Sequence, residues 1–334
     1  MKKEYLLSLL MVVVLAFASA SLFAKSKGSA FEAAKAAAIQ SAKDDSSNKR
    51  TVYDAVWVSS DAFQYADDAL KKDKEYVISI MHQDGKLWTH IDAKLKKDPD
   101  VLLAVIKELT LATYDTRYKD EYIQRDTEFV NGILNNYVED EKDTETKERK
   151  IKQLVISVVS QYGTSLKLLE NFTGDEDVVF AAFSNDANAY RFADYGFEDN
   201  KKIMMALVSN DGFYLEEVNE SLKNDKDVVM AAVKNEGSTF EFASNALKND
   251  REFVFAAVRI KGNAYYHASD RLKNDRELAL LAVTDNGGVL RALPEKLAKD
   301  KEIVRAAVKN YPYVLKYVDE SLKNDKAFIQ SLDL

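Results

Sequence analysis

SLKNDKDVVMAAVKNEGSTFEFA (Ser221–Ala243) is followed almost at once by NALKNDREFVFAAVRIKGNAYYHA (Asn245–Ala268), and the two align without a gap. The pattern returns as RLKNDRELALLAV (Arg271–Val283), KLAKDKEIVRAAV (Lys296–Val308) and SLKNDKAFIQSL (Ser321–Leu332). Taking the residue before each long apolar run as an anchor extends the series in both directions. The anchors are Asn48, Asp73, Asp98, Asp126, Ile151, Asp175, Asn200, Asp225, Asp250, Asp275, Asp300 and Asp325. Nine of the eleven intervals are 25 residues, the others 28 and 24, so eleven units and a truncated twelfth tile the chain. A fixed period of this size marks an array of stacked supersecondary units.

Each unit reads alike when positions are counted from its anchor. Asp or Asn at the anchor suits a helix N-cap, whose side-chain oxygen accepts from free N–H groups of the first turn. An acid often follows at +2 (Asp227, Glu252, Glu277, Glu302), where it complements the helix dipole. Apolar residues at +3, +4, +7 and +8, such as Val228, Val229, Ala232 and Val233, form one face of a helix and not an alternating strand. Position +6 is usually alanine, small enough for a neighbouring backbone to approach. Glycine at +12 (Gly85, Gly163, Gly212, Gly237, Gly262, Gly287) suits a left-handed helix end. A shorter apolar group follows, Phe240, Phe242 and Ala243 with Leu247 beside the next anchor, and predicts a brief second helix. The three prolines agree with this phasing: Pro99 opens a helix, Pro312 begins a short helix and Pro294 stands where one should end. The expected fold is all-α, a solenoid-like stack of helix–turn–short-helix repeats.

The pattern has edges. Lys2 and Lys3 precede an apolar run from Leu6 to Phe17, and Ala18-Ser19-Ala20 offers a cleavage site, with a second after Ala24. Residues 1–24 are therefore expected to be a signal peptide, placing the protein in the periplasm or outside the cell. Without cysteine it is not a lipoprotein, and no stable membrane insertion is expected after cleavage. Residues 25–47 are alanine-rich and should cap the first unit. Residues 139–150 (EDEKDTETKERK) carry no large apolar side chain and read as a charged linker or exposed charged helix. That run would divide an N-terminal lobe (48–138) from a C-terminal array (151–334).

The stretch from Tyr214 to Lys326, with its recurring LKNDxE, VVxAAVKxxG and xLKND, resembles the bacterial repeat family catalogued as domain of unknown function 4116. The resemblance is close from Asp175 to Asp325, and one catalogued unit covers two periods. It implies an α-helical repeat fold and brings no activity, cofactor or catalytic residue with it.

The composition limits the chemistry. No cysteine means no disulfide, thiolate nucleophile or Fe–S cluster, and a net charge of −8 is a poor match for nucleic acid. His90 and His267 fall at +17, where other units have Tyr65, Phe192 and Phe242, and so read as half-buried ring replacements. His82, at +9, should be exposed. No His-Glu-x-x-His, Gly-x-Ser-x-Gly or phosphate-binding glycine loop occurs, and no metal or other cofactor is expected. Trp88 stands at the Phe240 position and should be core. Trp57 stands at +9, a position otherwise polar, either packed on the N-terminal helix or exposed as a partner anchor. Tyr114 and Tyr122 likewise lie outside the core pattern, whereas Tyr118 matches the Phe242 slot. Trp57, Tyr114 and Tyr122 are thus the candidate partner-binding residues. The sequence points to a non-catalytic scaffold for a protein or envelope polymer. The competing expectation is a polymer hydrolase with carboxylates between the lobes.

Overall fold

The computed structural model describes residues 27–81, 85–112 and 120–332. The signal peptide expected at residues 1–24, His82, Tyr114 and Tyr118 lie outside these residues. The described chain is a succession of α and 3-10 helices without a strand among the described residues. It forms two compact units, one up to Val158 with Lys167–Glu170, the other from Val159–Leu166 and Asn171 onward.

In the second unit the four repeats from Asp225 to Asp300 each have three pieces, whereas the Asn200 repeat has a five-residue 3-10 segment and the Asp175 repeat has no α turn before the next anchor. A ten-residue helix such as Lys226–Asn235 runs from the anchor, six residues of 3-10 helix follow (Gly237–Phe242), and a four- or five-residue α turn (Asn245–Asn249) leads to the next anchor. The anchors cap as expected: Asp225 Oδ1 accepts from the N–H groups of Asp227 and Val228 at 3.0 and 3.2 Å. The +3, +4, +7 and +8 side chains are buried throughout, and so are Leu222, Leu247, Leu272, Leu297 and Leu322. The expected short helix is a 3-10 helix, with Gly237, Thr239 and Phe240 buried within it.

The repeat glycines do not have the left-handed backbone expected of them. Among the described residues only Gly196 has positive φ, 111°. Each repeat glycine opens the 3-10 segment pressed against the next unit. A Cβ on Gly212 would lie 2.6 Å from the Ala232 carbonyl oxygen, and one on Gly262 2.7 Å from that of Ala282. Close approach is therefore made at +12 and +7, while the +6 alanines are mostly half-exposed.

Two polar ladders tie unit to unit. Asn235 Nδ2 donates to the Asn210 carbonyl 25 residues earlier at 3.1 Å, and its Oδ1 accepts from Gly212 N–H at 3.1 Å. Asn185, Asn210 and Asn310 repeat both contacts. Ile260 occupies the same position without a polar atom. Ile260→Asn should extend the ladder and raise stability by about 1 kcal/mol, the usual net worth of an added hydrogen bond, read in urea unfolding.

The second ladder uses the other anchor oxygen. Lys226, Arg251, Arg276 and Lys301, each at +1, reach Oδ2 of the next anchor at 2.6, 3.1, 2.8 and 2.7 Å. One carboxylate thus caps its own helix and clasps the preceding unit. Asn200 is the exception that fits: the preceding +1 residue is Glu176, so a neutral amide stands where an aspartate would meet like charge. The basic partners, above all their hydrogen bonds, hold Asp250, Asp300 and Asp325 below the ordinary carboxylate range. Carboxyls that bind protons more weakly when folded contribute fully above their unfolded pKa. Stability should therefore hold above about pH 4 and fall as the pH drops through the depressed folded values, as midpoints across a pH series would show.

In the first unit, Lys27–Asp44 packs on Lys49–Val58 through Ala38, Ala42 and Ala55. Two anchors there differ from expectation. Asp126 lies within one continuous helix, Asp120–Tyr137, buried and paired with Arg125. Ile151 lies within Thr144–Val159, and Asp143 accepts from Thr146 N–H at 2.7 Å as that helix begins. The charged run 139–150 therefore divides into a turn and the first two turns of a helix. Its want of apolar residues reflects a mostly exposed helical surface.

Candidate interaction face

Trp88 is buried, and His90 and His267 are half-buried, with burial pushing both imidazoles below their usual value. Trp57 is next to last in the helix Lys49–Val58 and is 67% exposed. Tyr122 is in the first turn of Asp120–Tyr137, but its side chain, like Tyr114, lies outside the described residues. Among the described residues no three His, Asp or Glu side chains cluster as a metal site, and no helix is long and apolar enough to cross a membrane.

The second unit shows a feature the candidate residues did not include. The core takes +3, +4, +7 and +8, yet +5 is also large and apolar in five successive units: Phe180, Met205, Met230, Phe255 and Leu280. Every one is half-buried on the outward side of its long helix. Met205, Ser209, Asp227, Met230, Ala231, Lys234 and Asn235 line an open depression between two adjacent long helices. The alanine at +6 is thus small because it floors that depression, beside the +5 side chain of the unit before. Cations lie over the aromatic members, Lys202 Nζ at 4.5 Å from the Phe180 ring and Arg251 at 4.2 Å from Phe255. The row ends at Arg305, whose side chain bonds Ser331. Exposed +2 residues, acids except for Lys202, flank the row on one side, and exposed Lys234, Arg259 and Lys309 at +9 flank it on the other.

The signal for this row was present in the sequence as an apolar position that helical periodicity places off the core. It escaped because +5 adjoins +4 and looks like a wider core stripe.

The family comparison respects the same phasing. The model described as Domain of unknown function (DUF4116) matches residues 200–248, 250–298 and 300–331. The model thus matches three times in tandem here, the third match being shorter. The matches start at the anchors Asn200, Asp250 and Asp300, so one DUF4116 repeat is two 25-residue periods, and the resemblance read from the sequence holds over this stretch. Neither a curated protein nor a solved structure matches the chain.

Proposed function

We propose that this protein is an exported, non-catalytic scaffold that binds another macromolecule along the long-helix face of its repeat array. The observation that carries the reading is the row from Phe180 to Leu280, kept large and half-exposed at 25-residue intervals. Five such side chains in register exceed what the core of each unit needs, and contiguous exposed apolar surface on a soluble protein signals contact. The carboxylates favour the same reading. Those at anchors and +2 positions are engaged in caps and inter-unit ion pairs, which accounts for them without catalysis. Exposed Trp57 supports a further anchor in the first unit, as aromatic residues dominate binding hot spots.

Crosslinking and co-purification of the processed protein from its host tests the reading. Met205→Glu with Met230→Glu should leave the helical spectrum unchanged and abolish the captured complex, and Trp57→Ser should weaken it. Capture that survives the double substitution would remove the long-helix face from consideration.

A further inference from the structure

The row and its flanks have a symmetry that selects an occupant. We propose that a second copy of this chain docks on the long-helix face through a two-fold axis running along the row. The inference rests on the long-helix face being the binding face. Positions +2 and +9 are seven residues apart, about 10.5 Å along a helix, and their midpoint falls between +5 and +6. Rotation about an axis through that midpoint lays +9 of one copy over +2 of the other. It also lays the row on itself, each +5 side chain beside its own counterpart and each +6 alanine beside its counterpart, Met230 by Met230 and Ala256 by Ala256.

The charges agree unit by unit. Lys234 would meet Asp227, Arg259 would meet Glu252 and Lys309 would meet Glu302. In the remaining units the +2 charge would meet Ser184, Ser209 or Thr284, so no facing pair is like-charged. Three +1 bases bridge both the next anchor and its +2 acid (Lys201 to Asp225 and Asp227, Arg251 to Asp275 and Glu277, Arg276 to Asp300 and Glu302), and one base shared by two carboxylates leaves each cluster net negative toward the facing +9 position. The other in-plane axis, along the long helices, would lay acid over acid and is disfavoured. Area is adequate too. Five helices of ten residues, packed about 8–10 Å apart, offer roughly 700 Å² per copy, close to the about 800 Å² of a stable interface.

Sedimentation of the purified full chain should show a concentration-dependent dimer. Arg259→Glu alone and Glu252→Lys alone should each weaken it about tenfold or more, and an equimolar mixture of the two variants should restore it as a heterodimer. Because the chain has no cysteine, Ala256→Cys gives a clean reporter. It should crosslink to its own counterpart under copper–phenanthroline and not to an Ala206→Cys chain. A monomer at every concentration, a dimer indifferent to both charge reversals, or crosslinking across registers would each overturn the proposal. If the chain is monomeric while Met205→Glu with Met230→Glu still abolishes a captured complex, self-association falls and the binding face stands. If that double substitution also changes nothing, both fall.

Discussion

Gly212→Val should destabilise the second unit by about 3 kcal/mol or more, at the upper end of overpacking costs. A Cβ there would sit 2.6 Å from the Ala232 carbonyl oxygen and 3.1 Å from Thr239 Cγ2. The first neighbour is backbone in the middle of the next unit's long helix, so no rotamer change relieves it. Nor can the 3-10 segment swing aside, because Gly212 N–H is held by Asn235 Oδ1 at 3.1 Å. The two long helices must separate, which weakens the apolar contact and the asparagine rung together. Gly132 supplies the control. It is exposed in the helix Asp120–Tyr137 with nothing within 4 Å of a built Cβ, and Gly132→Ala should stabilise by about 1 kcal/mol. Urea unfolding of both variants, followed by helical signal, reads the contrast. Equal midpoints would mean that the Gly212–Ala232 approach does not hold the stack.

What the sequence made legible follows from how far each cause reaches along the chain. Caps and core faces depend on neighbours within two helical turns, so Asp225 and the Val228, Val229, Ala232, Val233 set could be read from one unit. The glycines could be located but not explained, since the atom that excludes a side chain from Gly212 belongs to Ala232, twenty residues on. The asparagine rungs are hidden for the same reason: Asn235 looks like an ordinary helix C-terminus until Asn210 and Gly212 lie beside it. Anchors Asp126 and Ile151 misled because phase was carried into a stretch where the helices are longer. There the exposed turns of Thr144–Lys150 carry no apolar face to mark their start. The interaction face was recorded in plain repetition, at +5, but only burial separates a residue that lines the outside from one that fills the inside.

Phe240→Ala should cost about 3–5 kcal/mol, the range for emptying a buried phenylalanine site. The ring is fully buried in the Asp225 unit, and its centroid is 6.0 Å from that of Phe253 in the next. It therefore belongs to an interface between repeats as much as to one repeat. Array stability is close to a sum of unit terms and nearest-neighbour terms, so a cavity at a junction weakens the coupling that makes neighbours unfold together. The variant should show a lowered midpoint and a broadened, two-step transition of the second unit. Leu247→Ala, at the next large buried side chain, should cost about 2–5 kcal/mol. Lys248→Ala should cost less, about 0.5–1.5 kcal/mol, since its Nζ makes one hydrogen bond, to the Glu241 carbonyl at 2.5 Å. Phe242 separates the two kinds of position within one 3-10 segment. It is half-buried, and Phe242→Ala should shift the midpoint by less than half of the Phe240→Ala change while leaving a single transition. If Phe240→Ala and Phe242→Ala gave the same midpoint, the contrast in burial between the two positions would be wrong.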